Sequence, residues 1–297
     1  MSKLYNIIEE TNDYWIVDNK IIFKLNFNNN LDKYDELFNI YNDVIFSDNN
    51  NLSSLFTRKE FIDCKGSQFN QKISLNNNIK NLMLGKKFDE LIISNKKLSQ
   101  LTHLTIGCIN IYTNGAESFF NQPLDLNENL THLTFCYYSN FNKPLELNEK
   151  LTHLVLGLKF NQQLKFNNKI THLSLQQYFN QNIDLPNSLQ YLQIMSNLQN
   201  IIDNLPNNIC ELNIGTRSNV NLDNLPNSVK MISFTGSDTY NKKLNNLPDS
   251  IECLQLPHNY DIRVDKLPKS LKKIKCDQKY KYIDDFILKY DIDHNYK

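Results

Sequence analysis

The sequence predicts a mainly β fold: a leucine-rich-repeat-like solenoid with one curved parallel sheet, irregular convex returns and a cap at each end. Three observations support this. A phrase of the form apolar-x-x-apolar-x-apolar recurs ten times between residues 79 and 276, the mark of a repeat architecture. Within each copy apolar and polar residues alternate, as in a strand with one buried face. The stretches between copies are irregular and polar, with no run long enough for a proper helix.

The copies open at Ile79, Leu101, Leu130, Leu151, Ile170, Leu189, Ile209, Val229, Ile251 and Leu271, in steps of 22, 29, 21, 19, 19, 20, 20, 22 and 20 residues. In the turn from Leu151, Leu154 and Leu156 alternate with His153 and Val155, and Gly157 ends the strand. Stacked turns of this kind give a parallel sheet with strands ~4.8 Å apart.

A second periodic signal is an aromatic-Asn pair at Phe69-Asn70, Phe120-Asn121, Phe141-Asn142, Phe160-Asn161 and Phe179-Asn180. Weaker forms stand at Phe88-Asp89, Tyr240-Asn241 and Tyr260-Asp261. The ring is expected to fill the space under a turn. The Asn amide is expected to be buried and to pair backbone groups that an irregular corner exposes, where an unmade bond costs ~1–3 kcal/mol. A third phrase, Leu-Pro-Asn-Ser or a close variant, precedes the later strands at Leu185–Ser188, Leu205–Asn208, Leu225–Ser228, Leu247–Ser250 and Leu267–Ser270. Pro fixes φ while Asn and Ser bond their own backbone, so this is turn chemistry.

Leu-Thr-His-Leu-Thr-Phe, Phe-Asn-Gln-Pro-Leu and Leu-Pro-Asn-Ser-Leu in fixed order resemble the FNIP repeats, leucine-rich-repeat relatives of social amoebae and of giant viruses of amoebae. The resemblance spans residues 69 to 276 and implies a curved solenoid with a protein-interaction role. In several viral members the repeats follow an F-box, which implies recruitment of a ubiquitin ligase. The chain departs from the pattern where later repeats lose Thr-His and where Phe-Asn becomes irregular near Leu198 and Val220.

Residues 1–60 carry no repeat and read as an N-terminal cap, with a strongly diverged F-box as the alternative. Tyr14–Val17 and Ile21–Phe27 flank Asp18-Asn19-Lys20 as a β-hairpin would, and Leu31–Tyr41 suits a short helix. Residues 61–278 form the solenoid. Residues 279–297 are a C-terminal cap or tail, with Ile283, Phe286, Ile287 and Tyr290 at helical spacing. Lys266, Lys269, Lys272, Lys273 and Lys275 make that end basic.

Lys plus Arg and Asp plus Glu are both 32, so no net field draws the chain to nucleic acid or membrane. No apolar run approaches the ~18 residues of a membrane span. Met1–Asp13 lacks a signal peptide's order, and six cysteines show no paired short spacing. Free thiols in the cytoplasm are expected, the host cytoplasm if the chain is viral.

His103, His132, His153 and His172 share one strand position, each after a Thr and before an inward Leu. They should form a column on the concave face, continued by Tyr191, Glu211, Met231, Cys253 and Lys273. Thr105, Thr134, Val155, Ser174, Gln193, Asn213, Ser233, Gln255 and Lys275 should form the adjoining one. In each Thr-His pair the two side chains are expected to point to opposite sides. The chain is therefore read as a non-enzymatic scaffold that binds a protein partner on this face, with no cofactor. A second reading is a substrate receptor that meets a Skp1-like adaptor through a degenerate F-box. A third is a metal-dependent hydrolase using the His column.

Overall fold

The computed structural model describes residues 6–48, 52, 66–92, 98–107, 117–215, 217–236, 239–287 and 291–293. The chain divides into two compact units, Met1–Asn167 and Asn168–Lys297. Both are built as the leucine-rich-repeat-like solenoid that the phrase predicts, mainly β with few helical residues.

In the first unit the strands run in chain order: β1 (Ile7–Glu10), β2 (Tyr14–Val17), β3 (Lys20–Phe23), β4 (Asp43–Phe46), β5 (Asn81–Leu84), β6 (His103–Ile106), β7 (His132–Phe135) and β8 (His153–Val155). β1, β2 and β3 pair antiparallel. From β3 onward each strand pairs parallel with the next. The sheet is thus not wholly parallel, because a two-residue turn with Asp18 at φ 52° can only fold a strand back on its neighbour. A 3-10 turn at Asp32–Tyr34 and α1 (Asp35–Ile40) return the chain from β3 to β4. Trp15, Val17 and Ile22 form a cluster with Ile45 and Leu52 on the face opposite the core, so that end of the sheet is covered.

The second unit contains β9 (His172–Leu175), β10 (Tyr191–Ile194), β11 (Glu211–Gly215), β12 (Met231–Thr235), β13 (Cys253–Gln255), β14 (Lys273–Lys275) and β15 (Asp291–Asp293). All pair parallel in order. Where Phe-Asn is lost, Leu198, Ile201 and Ile202 are buried by a single helical turn, α2 (Gln199–Ile202). The C-terminal helix expected over Tyr280–Tyr290 is only α3 (Asp284–Ile287), and the chain then adds β15.

The second and fourth residues of each repeat strand face the core: Leu104 and Ile106, Leu133 and Phe135, Leu192 and Ile194 are all buried. Beneath them runs the aromatic column. Phe69, Phe88, Phe120, Phe141 and Phe160 are buried, with successive centroids 6.0, 6.0, 5.8 and 5.9 Å apart and planes within 21°. These spacings exceed the ~4.8 Å between strands. The returns of this unit therefore fan outward and its sheet lies on the inside of the bend. Corners after the strands are tight: a Cβ on Gly107, which sits at φ +96°, would lie 2.4 Å from Cys136 Sγ.

Candidate partner-binding face

Strand register sets what each column contains. In the first unit the leading strand residues line up as Lys20, Asp43, Asn81, His103, His132 and His153. The adjoining line is Ile22, Ile45, Met83, Thr105, Thr134 and Val155. His103 is exposed, while His132, His153, Thr105, Thr134 and Val155 are half-buried.

The histidines form a stack. Ring centroids are 4.0 Å apart from His103 to His132 and again from His132 to His153, with planes tilted 15° and 16°. That spacing is shorter than the strand separation, as the inside of a bend requires. Thr102, Thr131 and Thr152 place Oγ1 2.9, 2.9 and 2.8 Å from Nδ1 of the histidine that follows. The two side chains therefore meet, contrary to the expected alternation. The pleat begins only at His, so the Thr still belongs to the corner and its hydroxyl can reach the next ring. Each Thr hydroxyl also donates, at 3.1 Å, to the carbonyl of Lys80, Thr102 or Thr131 in the preceding turn.

Lys20, Asp43 and Asn81 belong to this row and sequence reasoning missed them. Lys20 Nζ lies 2.5 Å from Asp43 Oδ2, and Asn81 Nδ2 donates to Asp43 Oδ1. The signal was present: Tyr41, Val44 and Phe46 fit the repeat phrase with Tyr in place of the opening Leu.

In the second unit the leading line is His172, Tyr191, Glu211, Met231, Cys253 and Lys273. Thr171 Oγ1 is 2.9 Å from His172 Nδ1, and the His172 ring stacks on Tyr191 at 5.6 Å. Burial, then the charge of Glu211, pushes the Tyr191 phenol upward in pKa. The adjoining line is a hydrogen-bonded chain. Ser174 Oγ donates to Gln193 Oε1 (2.6 Å), Gln193 Nε2 to Asn213 Oδ1 (3.3 Å), and Asn213 Nδ2 to Ser233 Oγ and Thr235 Oγ1 (2.9 Å each). Lys273 and Lys275 are half-buried, and β15 sets Asp291 and Asp293 in register with them. A three-residue strand without the phrase gave no means to foresee that pairing.

The Phe-Asn asparagines are not buried: Asn70, Asn142 and Asn180 are exposed and Asn121 and Asn161 half-buried. They form a surface ladder in which the backbone N–H of Asn121, Asn142 and Asn161 donates to Oδ1 of Asp89, Asn121 and Asn142, at 2.9, 3.0 and 2.9 Å. The closing role falls to other residues, Asn167, which is buried, and Asn148, which is half-buried. Asn148 Nδ2 donates to the Leu130 carbonyl (3.0 Å), and Asn167 Nδ2 to that of Leu151 (3.1 Å). These residues end the return just before the strand, where a carbonyl points inward.

Among the described residues no group of three or more His, Cys, Asp or Glu side chains is placed to hold a metal ion. Cys210 and Cys276 are free thiols. No helix among them is long and apolar enough to cross a membrane. The loop at Cys108–Ser118, which the 29-residue step suggested as an extension of the face, lies almost wholly outside the described residues.

No protein-family model matches the sequence, and no curated protein matches it. The fold is similar to the crystal structure of CroV588, a giant-virus protein described as a novel circular leucine-rich-repeat structure, with TM-score 0.58 and 25% identity over 87% of this chain and 40% of that one. This chain thus spans less than half the length of that protein. A looser likeness, with TM-score 0.43 and 15% identity over 68% of this chain and 54% of the other, is to the functional domain of InlJ from Listeria monocytogenes, which includes a cysteine ladder. The chain is leucine-rich-repeat-like, a fold that commonly serves as a scaffold for protein interactions.

Proposed function

We propose that the chain is a non-enzymatic scaffold of FNIP-type repeats that binds a protein partner on the open face of its sheet. The observation that supports this most is the register. It sets side chains of one kind in straight columns, His103, His132 and His153 on one line and Thr105 and Thr134 beside them. Repeat proteins use such faces for recognition because every turn adds one more contact row. The ligase-receptor alternative needs a helical N-terminal box, whereas residues 6–48 supply four strands and one six-residue helix.

The test is capture of partners by the wild type and by two variants. One carries His132→Gln and Thr134→Lys on the face, the other Lys143→Glu and Lys165→Glu on the returns. A partner retained by the second and lost by the first supports the reading. Equal capture by all three overturns it. Recovery of Skp1-like and cullin proteins by both variants would place the binding at the N-terminal segment instead.

A further inference from the structure

We infer that the open face of the second unit holds a slot between β12 and β13 for a side-chain carboxamide, an Asn or Gln on an extended segment of the protein partner. This rests on the open face being the binding surface. The polar ladder of that face runs one way and stops short. Gln193 Nε2 donates to Asn213 Oδ1, and Asn213 Nδ2 donates to Ser233 Oγ and Thr235 Oγ1. Gln255 stands next in line, one residue beyond the paired Ile232 and Leu254.

Pro257 is the reason the ladder stops there. In other turns the residue after the strand gives its backbone N–H to the last strand carbonyl of the turn before. Gly107 does so to Leu84, Cys136 to Ile106 and Met195 to Leu175, at 2.8, 2.9 and 3.0 Å. Pro257 occupies that position after β13 and has no N–H. The Phe234 carbonyl takes the Gln255 side chain instead, with Nε2 donating at 3.0 Å. Gln255 is thereby drawn to the backbone rather than to Ser233.

The unspent hydrogen-bonding capacity at this gap defines its ligand. A hydroxyl accepts and also donates. Ser233 and Thr235 accept from Asn213, and their own hydrogens meet no acceptor among the described residues. Gln255 Oε1 likewise meets no donor among them. A carboxamide answers both sides, because its oxygen accepts from a hydroxyl while its NH2 donates to Oε1. A carboxylate has no hydrogen for Oε1, and an ammonium has no oxygen for the hydroxyls, so acidic and basic side chains each match one side only. Ser233 and Gln255 are half-buried and Thr235 is exposed, which leaves the slot open to a partner's side chain.

The test uses the full chain and three blocked peptides, hexaasparagine, hexaaspartate and hexaalanine, followed by NMR. Hexaasparagine should shift the signals of Ser233, Thr235 and Gln255 and show contacts from its side-chain NH2 protons to Gln255. The other two peptides should bind at least roughly tenfold more weakly, about the worth of two ordinary hydrogen bonds. Ser233→Ala with Thr235→Val should weaken hexaasparagine by a similar factor. Pro257→Ala should do the same while leaving every side chain of the slot in place, since the restored N–H releases Gln255 to close the ladder on Ser233. No binding of hexaasparagine, equal affinity for hexaalanine, or binding that both variants leave unchanged would each overturn the inference. If a captured partner needs His132 and Thr134 but hexaasparagine does not bind, the slot fails and the scaffold reading stands. If hexaasparagine fills the slot while all face variants capture partners equally, the slot stands and that reading fails.

Discussion

The two units solve the same packing problem with different residues. Under the turns of the first unit stand bare Phe rings, among them Phe120, Phe141 and Phe160. In the second, Tyr240, Tyr260 and Tyr280 take that place, and each hydroxyl donates to a carbonyl of the turn before, Val220, Lys242 and Ile262, at 3.1, 2.9 and 2.9 Å. Burial drives their phenols upward, Tyr280 to about 12, so they remain hydrogen-bond donors across the accessible pH range. The corners differ in the same way. Pro186 and Pro248 stand where Asn148 and Asn167 stand in the first unit, and the Pro side chain has no donor. Two residues later the Ser188 and Ser250 hydroxyls supply one, donating to the Ile170 and Val229 carbonyls at 2.7 and 2.8 Å. What the repeat holds constant is the inward carbonyl that needs a donor, and the donor's identity is free to change.

The largest effect should come from the part that has no polar substitute. Phe141 packs against Phe120, Phe135 and Phe160. Phe141→Ala should cost about 3–5 kcal/mol, since a cavity opens between three turns at once. Urea denaturation followed by Trp15, the single tryptophan and a member of the first unit, measures it. An unchanged midpoint would put the ring outside the stack.

The strands of the ten phrase copies were legible because alternation and turn chemistry are local signals. The edges were less so. β4 hides behind Tyr41, and β15 is a bare Asp-Ile-Asp. Pairings such as Lys20 with Asp43 join residues 23 apart and are fixed only by register. The Phe-Asn motif shows a subtler limit. Its period announced a ladder, yet period alone does not say whether the ladder is buried. The sequence reading gave the Asn after Phe the role that Asn148 and Asn167 perform, because both recur at the same interval. The period alone sets equivalent strand positions in line within each unit, but that Ser174, Gln193 and Asn213 bond one another depends on side-chain reach that no single turn reveals.

Asn167 is 6% exposed and donates to two carbonyls, Asn148 and Leu151. Asn167→Ala should cost about 1–3 kcal/mol, because both acceptors lose a partner away from water. Asn142→Ala, in the exposed ladder, should cost less than half as much, since water can replace Oδ1 there. Equal losses in paired denaturation curves would erase the distinction between buried closure and surface ladder.

A smaller step tests whether the tyrosine hydroxyls matter. Tyr260→Phe keeps the ring and removes one bond to the Lys242 carbonyl. It should cost about 0.5–1.5 kcal/mol, the ordinary net value of such a bond. The converse change, Phe141→Tyr, should cost more, because the first unit offers its hydroxyl a fully buried site filled by neighbouring rings. If both substitutions prove neutral, the two aromatic columns are interchangeable and the units differ only in sequence history.

The smallest effect should be found on the face. His132 and His153 stand half-exposed on the sheet, with their Nδ1 edges tied to Thr131 and Thr152. A Gln at either position keeps a polar group within reach of the same hydroxyl. The double replacement should therefore shift stability by no more than about 1 kcal/mol near neutral pH, as is usual for surface sites. Parallel rings stacked at 4.0 Å also aim their nitrogens side by side. A zinc ion needs donors converging on one centre at about 2.0–2.1 Å. Elemental analysis of purified wild type should accordingly find no stoichiometric metal, and the double variant should match it. A one-to-one metal signal that disappears with the histidines, together with a large loss of stability, would mean that the rings rotate to ligate. The face would then be a metal centre rather than a recognition surface, because structural metal binding is coupled to folding.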